Sequence, residues 1–410
     1  MPRAHNESIG LPPRSGLFVL TRTHALMTAG EAVMTIALAN SLFLSISPDA
    51  ARGKVILFLA LSLAPFSVVT PFIGPLVDRM RGGRRLVVVL AASLRGLVSF
   101  LMIGRIDSLT LFPLAFAALV LSKTYSVSKS ALVPTVVRDD EALVEANSRL
   151  GLVSGIVGFA AAVPAGIIQL ISPNATLALS FAVFVLAAIS AWQLPRDVRI
   201  AEGPRTEREV RELRSRRIRR TVAAMRLMRG LVGLMFFHMA FWLRDQKAGT
   251  VWFGFAVSLS ALATMSANAI APIVRRHLRE ETMIVVTLIV TAAGGLTCTW
   301  VGGVTGGVVL VAIVNASAAI CRLAYEAVIQ SDAPDANRAR AFASFETQFQ
   351  LAWVGAGLVP VVLRLPGEFG FFSVGLVAMV GTLLFVLRVR VDRTSRAGRA
   401  TGRVRRSRRG

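Results

Sequence analysis

Acidic residues are scarce in this chain: 23 Asp and Glu stand against 46 Lys and Arg, for a formal net charge of +23. Cysteine is scarcer still. Cys298 and Cys321 are the only two and both fall inside apolar runs, which excludes a disulfide framework and leaves no thiolate set at metal-ligand spacing. The four histidines, His5, His24, His238 and His277, are scattered, without the pair of a zinc protease, and no Gly-x-Ser-x-Gly elbow occurs. Lys54 follows Gly53, but no glycine stands five residues before Gly53 and Val55 follows where Ser or Thr would bind magnesium. There is thus no phosphate-binding loop to drive an ATP-powered pump. No metal, no cofactor and no enzymatic activity are expected. Nor does nucleic acid explain the positive charge, since the basic stretches interleave no aromatics on which bases could stack.

What the chain has instead is apolar length. Hydrophobic residues make up 54% of it, gathered into segments of about 20 residues, the length a helix needs to cross hydrocarbon. Spans are expected at Ala25 to Ile46, Lys54 to Val77, Leu86 to Ile103, Leu109 to Leu132, Leu152 to Ile171, and from the Ser172-Pro173-Asn174 turn to about Trp192. Six more fall at Leu231 to Leu243, Val251 to Val274, Met283 to Val301, Val304 to Ala327, Ala343 to Leu363 and Phe371 to Leu387. The seventh is short and must borrow residues from its Arg-rich approach. The first lacks a small-residue cleavage site and is too long for a signal peptide, so it is expected to be retained. The fold class predicted is an all-α integral membrane protein of twelve transmembrane helices.

The basic residues sort by side. One set of loops holds Arg79 to Arg85, twelve arginines between Arg196 and Arg229, Arg275, Arg276 and Arg279, Arg338 and Arg340, and the tail from Arg388 to Arg409; the opposite loops hold only Arg52, Lys54, Arg105, Arg244, Lys247 and Arg364. By the positive-inside rule the first set, and both termini, are cytoplasmic. Anionic lipid is the partner expected near the basic linker and tail, and the tail is expected to be disordered.

The stretch Ile73 to Leu86, IGPLVDRMRGGRRL, joins the second and third spans. It resembles the signature loop of major facilitator superfamily transporters, carried by Gly74, Leu76, Asp78, Arg79, Gly82, Arg84 and Arg85, with one extra residue between Arg79 and the glycines. Shifting the chain by 197 residues lays IAPIVRRHL, from Ile270, on this loop, with Arg275 on Asp78. The resemblance implies two pseudo-symmetric six-helix halves, with a solute site between them near the midplane. The expected divisions are a cytoplasmic segment (1–20), an N-terminal half (21–195), the Arg-rich linker (196–229), a C-terminal half (230–388) and the basic tail (389–410). The loop after the fourth span and its repeat partner, QSDAPDANRARAFASFETQFQ, resemble a bacterial branch related to siderophore and macrolide exporters. Gly155, Gly158, Pro164 and Gly166 keep part of the antiporter motif of the fifth helix, although close helix packing also explains such glycines.

Ionisable residues inside spans cost about 2.5 to 3.5 kcal/mol each and are functional candidates by default. Here they are Glu31, Arg95, Lys123, Lys129, Arg322 and Glu326. The only tyrosines, Tyr125 and Tyr325, join them on helices that the resemblance makes cavity-lining, with an interfacial belt as the competing reading. Glu31 and Arg95 are expected at one depth, about 14 Å from the cytoplasmic edge at 1.5 Å per residue, as a proton-coupling pair, with a static structural pair as the competing reading. Asp78 and Arg79, with Gly74, Arg84 and Arg85, are expected to act as a conformational switch, and Arg275 to tolerate change. The repeat lays Lys129 on Glu326, which suggests a cytoplasmic gate; snorkelling to the interface, or pairing of Glu326 with Arg322 one turn away, are the alternatives. The function expected is a monomeric secondary transporter of the bacterial inner membrane, exporting a small, partly apolar compound against protons, with an uptake symporter or a non-transporting receptor as alternatives.

Overall fold

A computed structural model describes residues 16–42, 83–106, 108, 110–137, 141–195, 215–245, 249–332, 338–363 and 365–407. The expected second span, and Gly74, Asp78 and Arg79 of the elbow, lie outside these residues. Among the described residues all regular structure is helical: α1 (Gly16–Leu42), α2 (Gly83–Met102), α3 (Leu111–Val136), α4 (Glu141–Ile171), α5 (Pro173–Ala191), α6 (Arg216–Asp245), α7 (Gly249–His277), α8 (Glu280–Val301), α9 (Gly303–Asp332), α10 (Arg338–Leu363) and α11 (Gly367–Ser407). These are the first span and the third to twelfth.

Eight of the eleven are long and apolar enough to cross a membrane. The other three, α1, α3 and α10, carry Glu31, Lys123 with Lys129, and Glu346 in their interiors. Connections between helices are short and locally specified. Ser172 caps α5 by accepting a hydrogen bond from the Ala175 amide, with Pro173 at the first helical position. Gly302 and Gly303, at φ 63° and 61°, make the left-handed turn between α8 and α9 that a side chain would strain.

Three boundaries differ from those read in the sequence. The short surface helix expected before the fifth span is continuous with it in α4. The seventh span takes in the end of the Arg-rich linker, because α6 starts at Arg216. The tail is not disordered throughout: α11 runs on to Ser407, over a stretch free of proline in which arginine and alanine favour helix. Gly83 and Glu280, which open α2 and α8, and Glu141 and Arg338, which open α4 and α10, are each separated by the 197 residues of the internal repeat.

Packing follows two groups. In the first, α1 lies against α4 and α5, and α2 against α3 and α5; in the second, α6 packs on α10, α7 on α9, and α8 on α9 and α11. Each group has its own apolar core. They meet where α4 crosses α7 and α9, and where α3 touches α9 and α10. Ala271, Leu323 and Ala327 enter the first core from the second group, and Val87, Val127 and Ala131 enter the second core from the first.

The charged seam between the two halves

The N-terminal half offers an acid to the space inside the bundle. Glu31, in the middle of α1, keeps 47% of its side chain accessible, although it accepts a hydrogen bond from Ser122 Oγ at 2.7 Å and pairs with Arg95 Nη1 at 3.5 Å. Arg95 is 1% exposed, so the carboxylate faces the open side of the pair and the guanidinium the protein. Its plane lies 4.5 Å over the Phe184 ring of α5, and its Nε is buried without a hydrogen-bond partner. The close approach of α1, α2 and α5 makes this possible: Ser180 Oγ donates to the Gly30 carbonyl at 3.0 Å, and any side chain at Gly30 would run into Phe184. The sequence thus places Glu31 with Arg95 by depth, and the structure brings them into contact.

The C-terminal half reverses the exposure. Arg322 of α9 pairs through Nε with Glu326 and through Nη2 with Glu346 of α10, both at 2.9 Å; Arg322 is 30% accessible, against 6% for Glu326 and 16% for Glu346. Tyr325 is fully buried, its ring edge-on to Phe342, Phe345 and Phe349, which excludes an interfacial belt for it. Tyr125 is also buried, and its hydroxyl shares a hydrogen bond with His24 Nδ1 at 2.9 Å; the other ring nitrogen of His24 meets Ser154 Oγ at 2.7 Å. His24 therefore ties α1 to α3 and α4.

Three members of this seam escaped the sequence reading. Glu346 lies only three residues inside the expected eleventh span. Arg229 is the last arginine of what reads as the linker, but α6 carries it inward. His24 reads as scattered because its partners lie more than 100 residues away. Glu346 lies within the electrostatic reach of Arg322, Arg229 and Lys123.

The gate expected between Lys129 and Glu326 takes a different form. Among the described residues Lys129 makes no ion pair at contact distance, although Glu326 is the charge that bears on it most. Glu326 is held by Arg322 of its own helix, which lies one turn away and needs no movement of the halves to reach it. Neutral groups close the seam there. Asn147 Nδ2 donates to Gln330 Oε1 at 2.7 Å, Gln330 Nε2 to the Ser130 carbonyl at 3.1 Å, and Ser148 Oγ to the Asn268 carbonyl. Gly151 and Gly155 allow the approach: a methyl group on the first would overlap the Asn268 amide, and on the second the Met265 side chain. All these groups lie toward the end of the bundle where α3, α7 and α9 finish and α4 and α10 begin. Farther along, α4 becomes exposed at Phe159, Val163 and Ile167, as does α7 at Leu262 and Phe255. The halves are sealed at the basic end.

At that same end Arg84 is buried and Arg85 lies 4.9 Å over the Trp192 ring. In the second half Arg275 pairs with Glu280 at 2.8 Å, and Arg217 holds Glu280 at 3.3 Å and Asp332 at 2.7 Å.

Comparison with known proteins agrees with this architecture. The family model described as Major Facilitator Superfamily matches residues 23–357. An uncharacterized protein of Mycobacterium leprae (strain TN), ML2143, is 29% identical over 92% of this chain and 72% of its own length. Among solved structures, the human organic anion transporter MFSD10 superposes with a TM-score of 0.70 at 14% identity, covering 92% of this chain and 100% of that one. A bacterial homologue of the iron transporter ferroportin in its outward-facing state also gives 0.70, at 16% identity and coverages of 91% and 99%.

Proposed function

We propose that this chain, which belongs to the major facilitator superfamily, is a proton-coupled exporter of a small solute in a bacterial inner membrane, working by alternating access with Glu31 as the proton-carrying group. The observation that carries the reading is the asymmetry of the Glu31–Arg95 pair: the carboxylate is open to the interior of the bundle and the guanidinium is buried beneath it. Protonation of Glu31 removes the charge that holds Arg95, and what remains is a buried cation that favours a rearrangement of α1 against α2. A proton entering from outside would thereby be converted into helix movement.

The positive-inside rule makes the basic end cytoplasmic, so the seal formed by Asn147, Gln330, Ser130 and Asn268 describes the outward-facing state. In that state the accessible carboxylate of Glu31 would take its proton from the outer side. Export as the direction is supported by the parts of the fifth-helix motif kept in α4, where Gly155 packs directly on α7 of the other half. The switch residues of the elbow, Gly74, Asp78, Arg79, Arg84 and Arg85, would hold the cytoplasmic ends together in the same state, and Asp78→Asn is expected to abolish transport with insertion intact.

The test is reconstitution of the full chain in proteoliposomes under an imposed pH gradient, with vesicle acidification and solute flux followed together. Glu31→Gln should insert normally and lose gradient-driven flux while retaining solute exchange. Gradient-driven flux at the wild-type rate in Glu31→Gln would remove Glu31 from the coupling role.

A further inference from the structure

Charge around the C-terminal group does not balance. Arg322 is shared between Glu326 and Glu346. Lys123 and Arg229 act on Glu346 as well, and Lys129 lies within reach of Glu326, Arg322 and Glu346. Among the described residues, four cations therefore act on two carboxylates. The Glu31–Arg95 pair is neutral in itself and leaves this excess unchanged. The expected second span, Lys54 to Val77, contains no carboxylate in its sequence.

Two of the four cations also lack contact partners. Among the described residues Arg229 makes no ion pair or hydrogen bond at contact distance, and its Nε is buried and unsatisfied. Lys129 makes no ion pair. The Tyr325 hydroxyl is also fully buried without a hydrogen-bond partner, in the field of Glu346, Arg322 and Glu326. Cations held largely out of water with too little counter-charge carry a desolvation cost, and an orphaned hydroxyl adds to it. These groups come from both halves: Lys123 and Lys129 on α3, Arg229 on α6, Arg322 and Tyr325 on α9. A ligand seated among them touches each moving body.

We propose that the missing counter-charge is the solute, a small organic anion whose carboxylate or phosphate group docks among Lys129, Arg229 and Arg322, with Lys123 and the Tyr325 hydroxyl at its margin. This rests on the reading of the chain as a transporter and names the substrate class of that carrier. The two carboxylates keep the site from being so positive that the anion cannot leave. Arg322 is pre-oriented by Glu326 and Glu346, so it presents a fixed edge to the anion and loses little side-chain freedom on binding. Expulsion of an anion against proton entry is also electrically favourable in a cell with a negative interior.

The experiment uses the purified full chain in nanodiscs of zwitterionic lipid at about 150 mM salt, near physiological ionic strength. The probes are small mono- and dicarboxylates and phosphomonoesters, each paired with its neutral amide or alcohol and with a cationic amine of the same skeleton. Thermal stabilisation and equilibrium binding are the readouts, and the carboxylate and phosphate arms decide between the two anionic groups. Anions should stabilise the protein where their neutral and cationic partners do not. Arg229→Gln and Lys129→Gln should each weaken the tightest anion at least about tenfold, while Arg229→Lys keeps most of the affinity. The idea is overturned if neutral or cationic members bind and anions do not, or if no member binds. Anion binding that is indifferent to both glutamine substitutions belongs to the basic tail and overturns it equally. In proteoliposomes, flux of an uncharged solute would defeat the anion assignment and leave the transporter standing. Selective anion binding without flux of any solute would count against the transporter and not against the site.

Discussion

The two halves solve the same electrostatic problem in opposite senses. On α1 and α2 the carboxylate of Glu31 is open and the guanidinium of Arg95 is buried at 1%; on α9 the guanidinium of Arg322 is the accessible member and its carboxylates are buried. An acid presented to water can take up and release a proton without unfolding anything, whereas an arginine presented to water stays charged and attracts anions. On the proposed reading, a pseudo-symmetric fold carries one function per half. The difference is visible even at repeat-related positions, since the 197-residue shift lays Lys129 on Glu326, a cation on an anion.

The largest effect that separates the halves is on stability. Glu346→Gln removes one partner of a largely buried ion pair and leaves more cation uncompensated, which should cost about 3–5 kcal/mol. Arg322→Met should cost less, because Lys129 and Arg229 still act on the carboxylates it leaves. Glu31→Gln should cost much less, because its carboxylate is already partly solvated. Thermal unfolding of the three variants in the same detergent checks the order. Equal losses would mean that the exposures of the two pairs do not differ as described.

The seal between the halves gives the next effect. Gly151→Leu places a branched side chain against the Asn268 amide in the closed seam, and overpacking of this kind costs about 1–3 kcal/mol. If alternating access opens this seam, as proposed, the population shifts severalfold to more than a hundredfold toward the state that lacks the contact. A cysteine introduced on the cytoplasmic side of the cavity, at Ser130 in a background without Cys298 and Cys321, should be labelled faster by a membrane-impermeant reagent in inside-out vesicles. Unchanged labelling would place the seal elsewhere.

Much of this was legible in the chain. Apolar length marks the spans, and arginine asymmetry predicts their orientation. The common depth expected for Glu31 and Arg95 is enough to pair them. What could not be read was where charged residues stop belonging to a loop. Arg229 ends a run of twelve arginines and so looks like linker, although α6 continues helically from Arg216 and carries Arg229 beyond three turns into the bundle. Glu346 is similarly disguised, because α10 starts at Arg338 and places this carboxylate two turns inside rather than near an end. Pairwise geometry was the other gap. Lys129 and Glu326 are related by the repeat, but sequence distance within α9 gives Glu326 a nearer partner in Arg322, and that local contact prevails.

Hydrogen bonding at His24 should give a smaller change. His24→Phe removes both its link to Tyr125 and its link to Ser154, each worth about 1 kcal/mol, and leaves the buried Tyr125 hydroxyl to find another partner while Ser154 keeps its bond to the Leu150 carbonyl. Tyr125→Phe removes one link only. A double-mutant cycle on thermal stability should therefore give a coupling of about 0.5–1.5 kcal/mol between the two positions; additivity would mean the shared bond contributes nothing.

The smallest effect concerns the second copy of the elbow, where Arg275 stands in place of Asp78 and is expected to tolerate change. The structure gives Arg275 an ion pair with Glu280, yet the same carboxylate is also held by Arg217, which reaches Asp332 as well. Removing Arg275 leaves Glu280 with a cation, so the cost should be that of a partly exposed pair, about 1 kcal/mol or less. Removing Arg217 is different. It strips Asp332 of its 2.7 Å partner, weakens the hold on Glu280, and disconnects α6 from the starts of α8 and the end of α9 in one step. Arg217→Gln should therefore lower the unfolding temperature more than Arg275→Gln, and raising the salt concentration should narrow the gap as the exposed charges are screened. If Arg275→Gln were the more damaging of the two, Glu280 would depend on Arg275 alone, and the second elbow would be a switch comparable to the first rather than a redundant clamp.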